Sequence, residues 1–339
     1  MDLLLSDDQR SIVASVAEML DDLMPLAAVR KVLDGDQAPL DALWRAAADA
    51  GWFGLGLAEE YGGAGFDLVD EALLFKELGR RVVPGPFLAT VLAARAAAIG
   101  GSVDLAAALL SGERRAGLAI GRDAEVRLVG ACDVDYLLHV DAHEVALFPA
   151  AAAEERAPVA GLDELTPRET ARLTGAASVS VTGAVDPVAS RGAVLVSAML
   201  SGIADAARDL SVGYAKTREQ FGAPIGSFQA VKHRCADLAV AAALADSQLT
   251  FAALSVTESA PDAAYQVAAA RVVAERAALG NIREAIQIYG GIGVTWECDA
   301  HLYLKRVHAL RELYGGEAGQ RAALLASANP PEGEPESHL

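Results

Sequence analysis

The chain has 339 residues, of which 53% are hydrophobic and 5% aromatic, and it carries a formal charge of −18. That length accommodates two or three packed units around a sizeable core, and the acidic balance repels polyanions, which argues against nucleic acid as a partner. No uncharged apolar run reaches the ~18 residues of a membrane span, and Met1-Asp2-Leu3-Leu4-Leu5-Ser6-Asp7-Asp8 lacks the basic stretch of a signal peptide; with three scattered cysteines, Cys132, Cys235 and Cys298, and no CxxC pair, a reducing cytoplasm without membrane attachment is expected.

Residues 1–112 read as helical. Ser6 and Gln9 form a capping box, followed by Ile12, Val13, Val16, Met19, Leu20 and Leu23 at helical spacing. A second amphipathic run covers Leu40 to Ala50 and stops at Gly51. After the loop Tyr61-Gly62-Gly63-Ala64-Gly65, a third helix spans Leu68 to Arg80 and is broken by Pro84-Gly85-Pro86.

Residues 113–190 change character. Arg114 to Ile120, Val126 to Gly130, Tyr136 to Val140, Val145 to Phe148 and Ser178 to Val181 are short β-prone runs between turn residues, and Ala150 to Pro167 is expected to be irregular. From 191 to 327 the pattern is helical again: Val194 to Arg218, Phe228 to Thr257, Ala263 to Tyr289 and Asp299 to Leu313 predict a four-helix bundle. The Pro/Glu-rich end, 328–339, is expected to be a disordered acidic tail. The fold class is therefore mainly α with a small central β domain.

Two segments stand out. In Tyr214-Ala215-Lys216-Thr217-Arg218-Glu219-Gln220-Phe221-Gly222-Ala223-Pro224-Ile225-Gly226-Ser227-Phe228-Gln229, Arg218 either binds an anion or caps a helix C-terminus, where cations are favoured. In Gln287-Ile288-Tyr289-Gly290-Gly291-Ile292-Gly293, paired glycines after a long helix either let a ligand approach the backbone or simply end the helix. The glycine spacing and the absence of a preceding strand exclude a Rossmann fingerprint. Glu297, Cys298, Asp299 and His301 match no zinc spacing, so no metal is expected, and no histidine has the partners of a nucleophilic triad.

Together these segments resemble the acyl-CoA dehydrogenase family. So do Leu43-Trp44-Arg45, Ala50-Gly51-Trp52-Phe53-Gly54, Glu59-Glu60-Tyr61-Gly62-Gly63-Ala64-Gly65, Glu77-Leu78-Gly79-Arg80 and Pro84-Gly85-Pro86-Phe87-Leu88 in the first unit. The resemblance implies an N-terminal helical domain, a shortened β domain and a C-terminal four-helix bundle. It implies FAD as cofactor, with Arg218, Phe221 and Gln229 touching the flavin nucleotide. Gln287, Ile288, Tyr289, Gly290 and Gly291 would serve the ADP half of an FAD bound mainly in a neighbouring subunit. Phosphates of FAD and CoA require local positive charge against the overall acidic field.

The family's catalytic glutamate is missing. Its usual position, after Tyr314, is Gly315, and the second family position falls at or next to Gly192. Glu312 and Glu317 flank the first position without occupying it, and nothing between Gly112 and Ser190 matches the family's flavin-ring motifs. Removing a proton α to a thioester needs a carboxylate aimed at that carbon. The expected role is therefore a non-catalytic or half-site subunit, sharing FAD with a full-length acyl-CoA dehydrogenase subunit in an α2β2 heterotetramer. The partner would hold most of the acyl-CoA, a steroid-CoA on the resemblance to shortened actinobacterial subunits, and an electron-transfer flavoprotein or similar acceptor would reoxidise the flavin. The rival readings are a self-sufficient dehydrogenase with Glu312 or Glu317 as a relocated base, and a non-enzymatic acyl-CoA-binding scaffold.

Overall fold

The computed structural model describes residues 4–122, 124–140, 144–182 and 188–328. The expected tail therefore lies almost wholly outside the described residues.

The first unit is helical: α1 (Asp7–Leu23), α2 (Leu26–Leu33), α3 (Ala38–Asp49), α4 (Leu68–Arg80), α5 (Phe87–Ile99) and α6 (Val103–Leu110). The capping box forms, with Gln9 N donating to Ser6 Oγ and Ser6 N donating to Gln9 Oε1, each at 3.1 Å. Gly51 follows α3 with φ 73°, the left-handed conformation that stops a helix without Cβ strain. Trp44, Phe53 and Phe87 interlock with ring centroids 4.4 to 5.9 Å apart, and this aromatic knot fixes α3 against α5.

The second unit is one seven-stranded sheet: β1 (Ala116–Arg122), β2 (Glu125–Val129), β3 (Tyr136–Val140), β4 (Glu144–Pro149), β5 (Ala153–Val159), β6 (Arg168–Leu173) and β7 (Val179–Thr182), in the order β5-β6-β2-β1-β3-β4-β7. Every pairing is antiparallel except β1 with β3. Ala150 to Pro167, expected to be irregular, contains the edge strand β5, and β6 follows it. The first was hidden for a physical reason. Beyond Ala153, β5 is exposed on both faces, so it has no hydrophobic alternation, and its register shifts between Glu154 and Ala157. Glu154, Glu155 and Arg156 are the charges that keep an edge strand from pairing with another chain.

The third unit is built from α7 (Val188–Thr217), α8 (Gln229–Thr257), α9 (Ala263–Tyr289), α10 (Ala300–Leu310) and α11 (Gly316–Ala328), with a short ribbon, β8 (Glu219–Gln220) and β9 (Ala223–Pro224), between α7 and α8. By length and hydropathy α7 and α8 could each cross a membrane, but 83% of the most apolar 18-residue stretch of α7 is buried within the fold. Asn281 of α9 donates to the carbonyls of Ala204 and Leu238 at 3.0 Å, pinning three helices at one buried point. The first unit meets the bundle where α4 crosses α7. A Cβ on Gly79 would overlap the Met199 carbonyl, and one on Gly202 would overlap that of Lys76. Glycine on both sides lets the two backbones touch.

A single hydrophobic core runs through all three units, from Leu20 through Phe75, Leu118 and Leu147 to Leu200 and Ile282. The opposite face of the sheet carries its own small cluster around Leu128 and Leu137. Leu118 and Leu138 face the bundle while Ala119 and Leu137 face away, as strand alternation requires.

Candidate functional site

The α7–α8 hairpin projects from the bundle. Arg218, Phe221 and Gln229 are all exposed there, Phe221 to 93%. The Arg218 backbone is fixed from both sides: its N–H donates to the Tyr214 carbonyl and its carbonyl accepts from Ile225 N, each at 2.8 Å. Its guanidinium makes no ion pair with any described residue, and the same holds for the exposed Lys216 and Lys232 on either side. In a chain of charge −18, most of whose arginines are paired, this is a concentration of uncommitted cations. Helix α8 starts at Gln229 without a side-chain cap, so the positive end of its dipole lies in the same place.

The second segment comes to the hairpin through a stacked pair. Tyr289 lies on Tyr214 with centroids 4.1 Å apart and planes at 14°, and its hydroxyl reaches the Leu210 carbonyl at 3.4 Å. Ile288 is buried in the core. Ile288 and Tyr289 thus hold the segment in place, while Gln287, Gly290 and Gly291 are exposed. Gly290 has φ 64°, and a Cβ at Gly290 or Gly291 would meet nothing within 4 Å. The bare backbone is open to a ligand.

A different arrangement surrounds Gly192 and Gly315. Chain reversal after α10 puts Tyr314, Gly315 and Gly316 at φ 51°, 87° and 59°. The Tyr314 ring drops against α7 at Gly192, where a Cβ would overlap its Cζ and hydroxyl. Burial pushes the Tyr314 phenol well above its usual pKa, and its oxygen is buried without a hydrogen-bond partner. The cavity between this turn and β1 and β3 is only about 100 Å³ and is lined by Leu118, Ile120, Leu138, Val140, Tyr314 and Gly315. Glu312 is bound to Arg168 at 2.7 Å and faces Arg127 at 3.4 Å. Glu317 is held by Arg311 at 3.0 Å and Arg321 at 2.5 Å. Both carboxylates face solvent and arginine.

The acyl-CoA dehydrogenase N-terminal domain matches residues 6–111, and the C-terminal domain of the same family matches residues 188–328. The chain belongs to the acyl-CoA dehydrogenase family. It is 36% identical over 317 residues to the acyl-CoA dehydrogenase IpdE2 of Mycobacterium tuberculosis, covering 91% of this chain and 93% of that protein. It is also 36% identical over 310 residues to FadE34 of the same organism, covering 86% of this chain but 43% of that longer protein. Among solved structures it resembles the ChsE4–ChsE5 complex of M. tuberculosis, with 26% identity, a TM-score of 0.83 and coverage of 98% of this chain and 100% of the matched one.

For an acyl-CoA dehydrogenase, the contrast between the two regions is informative. Gly192 and Gly315, far apart in sequence, are brought near each other through Tyr314, the residue before Gly315, whose ring lies against Gly192. Glu297, Cys298, Asp299 and His301 do not converge: Asp299 pairs with Arg30 at 2.7 Å and His301 stacks on Trp296 at 4.5 Å. No group of three or more metal-capable side chains forms among the described residues. The sequence did not reveal the buried Arg271, whose Nη2 lies 3.3 to 3.5 Å from the carbonyls of Leu310, Arg311 and Leu313. It caps the end of α10 and so sets the start of the Tyr314 turn. Burial pulls its pKa down to about 10. Its position on α9 resembles any helix arginine, and only its complete burial marks it.

Proposed function

We propose that this chain is the half-site subunit of a heteromeric FAD-dependent acyl-CoA dehydrogenase, contributing contacts to a flavin that a full-length partner holds. The observation that carries this reading is the Tyr314 ring seated against Gly192. The place where a carboxylate would meet a substrate α-carbon holds Gly315: the cavity behind it is about 100 Å³, and in the wider cleft on its solvent side the carboxylates of Glu312 and Glu317 are already paired with arginines.

The outward-facing residues fit the nucleotide half of FAD. Arg218 supplies a fixed charge with a forked donor for a pyrophosphate. Lys216, Lys232 and the α8 N-terminus add positive potential. Gln229 and Gln287 offer amides, Phe221 offers an apolar face, and Gly290–Gly291 offers backbone without a Cβ in the way. Bound FAD supplies the hydride acceptor for α,β-dehydrogenation. This chain's residues hold the nucleotide and exclude water from it, and the partner's carboxylate moves the proton.

An α2β2 assembly is supported by the apolar surface left open on the bundle. Val240 and Leu244 on α8 are 59% and 60% exposed, and Val294 and Trp296 lie beside the Gly290 turn at 78% and 57%. The proposed substrate is a bulky steroid-type acyl-CoA held mainly by the partner, the acceptor an electron-transfer flavoprotein or similar carrier, and the compartment the cytoplasm. Co-expression with a full-length dehydrogenase, followed by mass and flavin determination, tests the scheme. One flavin per pair of chains is expected, and one flavin on every chain would overturn it.

A further inference from the structure

The loop from Gly290 to Asp299 joins α9 to α10 and carries the bare Gly290–Gly291 backbone at its near end. That end is fixed by the Tyr289 stack and by Gly293, where a Cβ would lie only 2.5 Å from the Ile286 carbonyl oxygen. The far end is held from a different unit. Arg30 of α2 donates from Nε to Asp299 Oδ1 and from Nη2 to the Trp296 carbonyl, each at 2.8 Å, and its Cζ lies 5.6 Å from the centre of the Trp296 ring. Val29 and Val32 beside it are buried, so α2 is a firm base for that reach.

Asp299 stands at the N-cap of α10, where an aspartate ordinarily accepts hydrogen bonds from the N–H groups of the first turn. Here its side chain makes no capping bond and turns to Arg30 instead. A local preference given up in this way marks a position under another demand. From Trp296 and Asp299 the constraint passes back along the loop. Cys298 N donates to the Thr295 carbonyl at 3.3 Å, and Thr295 N and Oγ1 donate to the Ile292 carbonyl at 3.0 and 2.8 Å, one residue from Gly291. The Trp296 ring is 57% exposed, yet it is held in place by His301, stacked at 4.5 Å, and by Lys305, 5.2 Å from its centre.

We propose that Arg30 is a positioning residue for the nucleotide half of FAD: from the first helical unit it fixes the far end of this loop and so keeps the Gly290–Gly291 backbone in one geometry. The proposal rests on the reading of that backbone as part of the nucleotide surface. Arg30 touches no atom of the cofactor and acts through Trp296 and Asp299. A helix outside the α7–α8 hairpin thereby governs how well the hairpin surface retains flavin.

The test is made on the full chain in its native assembly. Arg30→Met removes the guanidinium and keeps an aliphatic stem. Amide hydrogen exchange across residues 290–296 should quicken, and the dissociation constant for FAD should rise roughly three- to tenfold. Asp299→Asn breaks the same contact from the other side but leaves a residue that can cap α10. It should weaken FAD binding alike without lowering the unfolding temperature, and the double variant should bind no worse than either single one. A contact that merely docks α2 would lower stability and leave FAD binding unchanged. Unchanged exchange in Arg30→Met, or a wild-type dissociation constant for FAD in either folded variant, overturns the proposal. Arg218→Ala separates the two levels. If it weakens FAD binding and these variants do not, the role of Arg30 alone falls; if it does not either, the nucleotide surface falls with it.

Discussion

Tyr214 and Tyr289 stack at 4.1 Å, and this contact joins two segments 75 positions apart into one surface. Tyr214 opens the last turn of α7, its carbonyl accepting the Arg218 N–H, and Tyr289 precedes the Gly290–Gly291 backbone. Replacing Tyr214 with Ala should cost about 1 to 2 kcal/mol of stability. It should also lower flavin retention in the complex by letting the two segments drift apart. Tyr214→Phe keeps the stack and should restore both properties. Thermal unfolding and flavin absorbance of the purified complex check this.

Arg218→Ala should leave the assembly intact, because the exposed side chain makes no ion pair with any described residue. Loss of a charge-assisted donor to a phosphate should weaken flavin retention by roughly ten- to a hundredfold. Flavin per complex after gel filtration is the readout, and unchanged content would remove Arg218 from the site.

Glu312→Gln should leave turnover of the complex unchanged and lower stability by less than about 1 kcal/mol, since its ion pair with Arg168 is half exposed. Glu317→Gln should behave alike. A large fall in kcat for either variant would revive the idea of a relocated base.

Asp163 ties the loop between β5 and β6 to α10 through the buried Arg306, which also donates to the Val83 carbonyl at 2.7 Å. Burial alone would raise the Asp163 pKa, but the Arg306 charge and hydrogen bonds from Thr166, Arg306 and Leu165 outweigh it and hold the carboxyl below its ordinary range. A depressed folded pKa contributes stability that is present above the unfolded pKa, about 4, and is lost as pH falls through the folded value. Asp163→Asn should therefore cost about 3 to 5 kcal/mol at pH 7, where it leaves Arg306 buried without its counter-charge. The gap from the wild type should narrow steadily below about pH 4. Urea unfolding at both ends of that range measures it.

The sequence by itself determined much of this protein. Helical periodicity located α1, α3 and α4 and the long bundle helices, because an amphipathic stripe is a local pattern. Short chemical spacings marked the Arg218 and Gln287 segments, and the absence of a carboxylate at Gly192 and Gly315 could be read directly. Edge strand β5 escaped notice because a strand exposed on both faces has no alternation to read. Only the tertiary structure decided which members of each motif point outward. Ile288 and Tyr289 belong to the packing while Gln287, Gly290 and Gly291 face solvent, and the helix phase that sorts them depends on what α9 packs against. It alone set the ring of Tyr314, the residue before Gly315, against Gly192. That meeting joins positions more than a hundred residues apart, and long-range packing of this kind leaves no trace in local sequence.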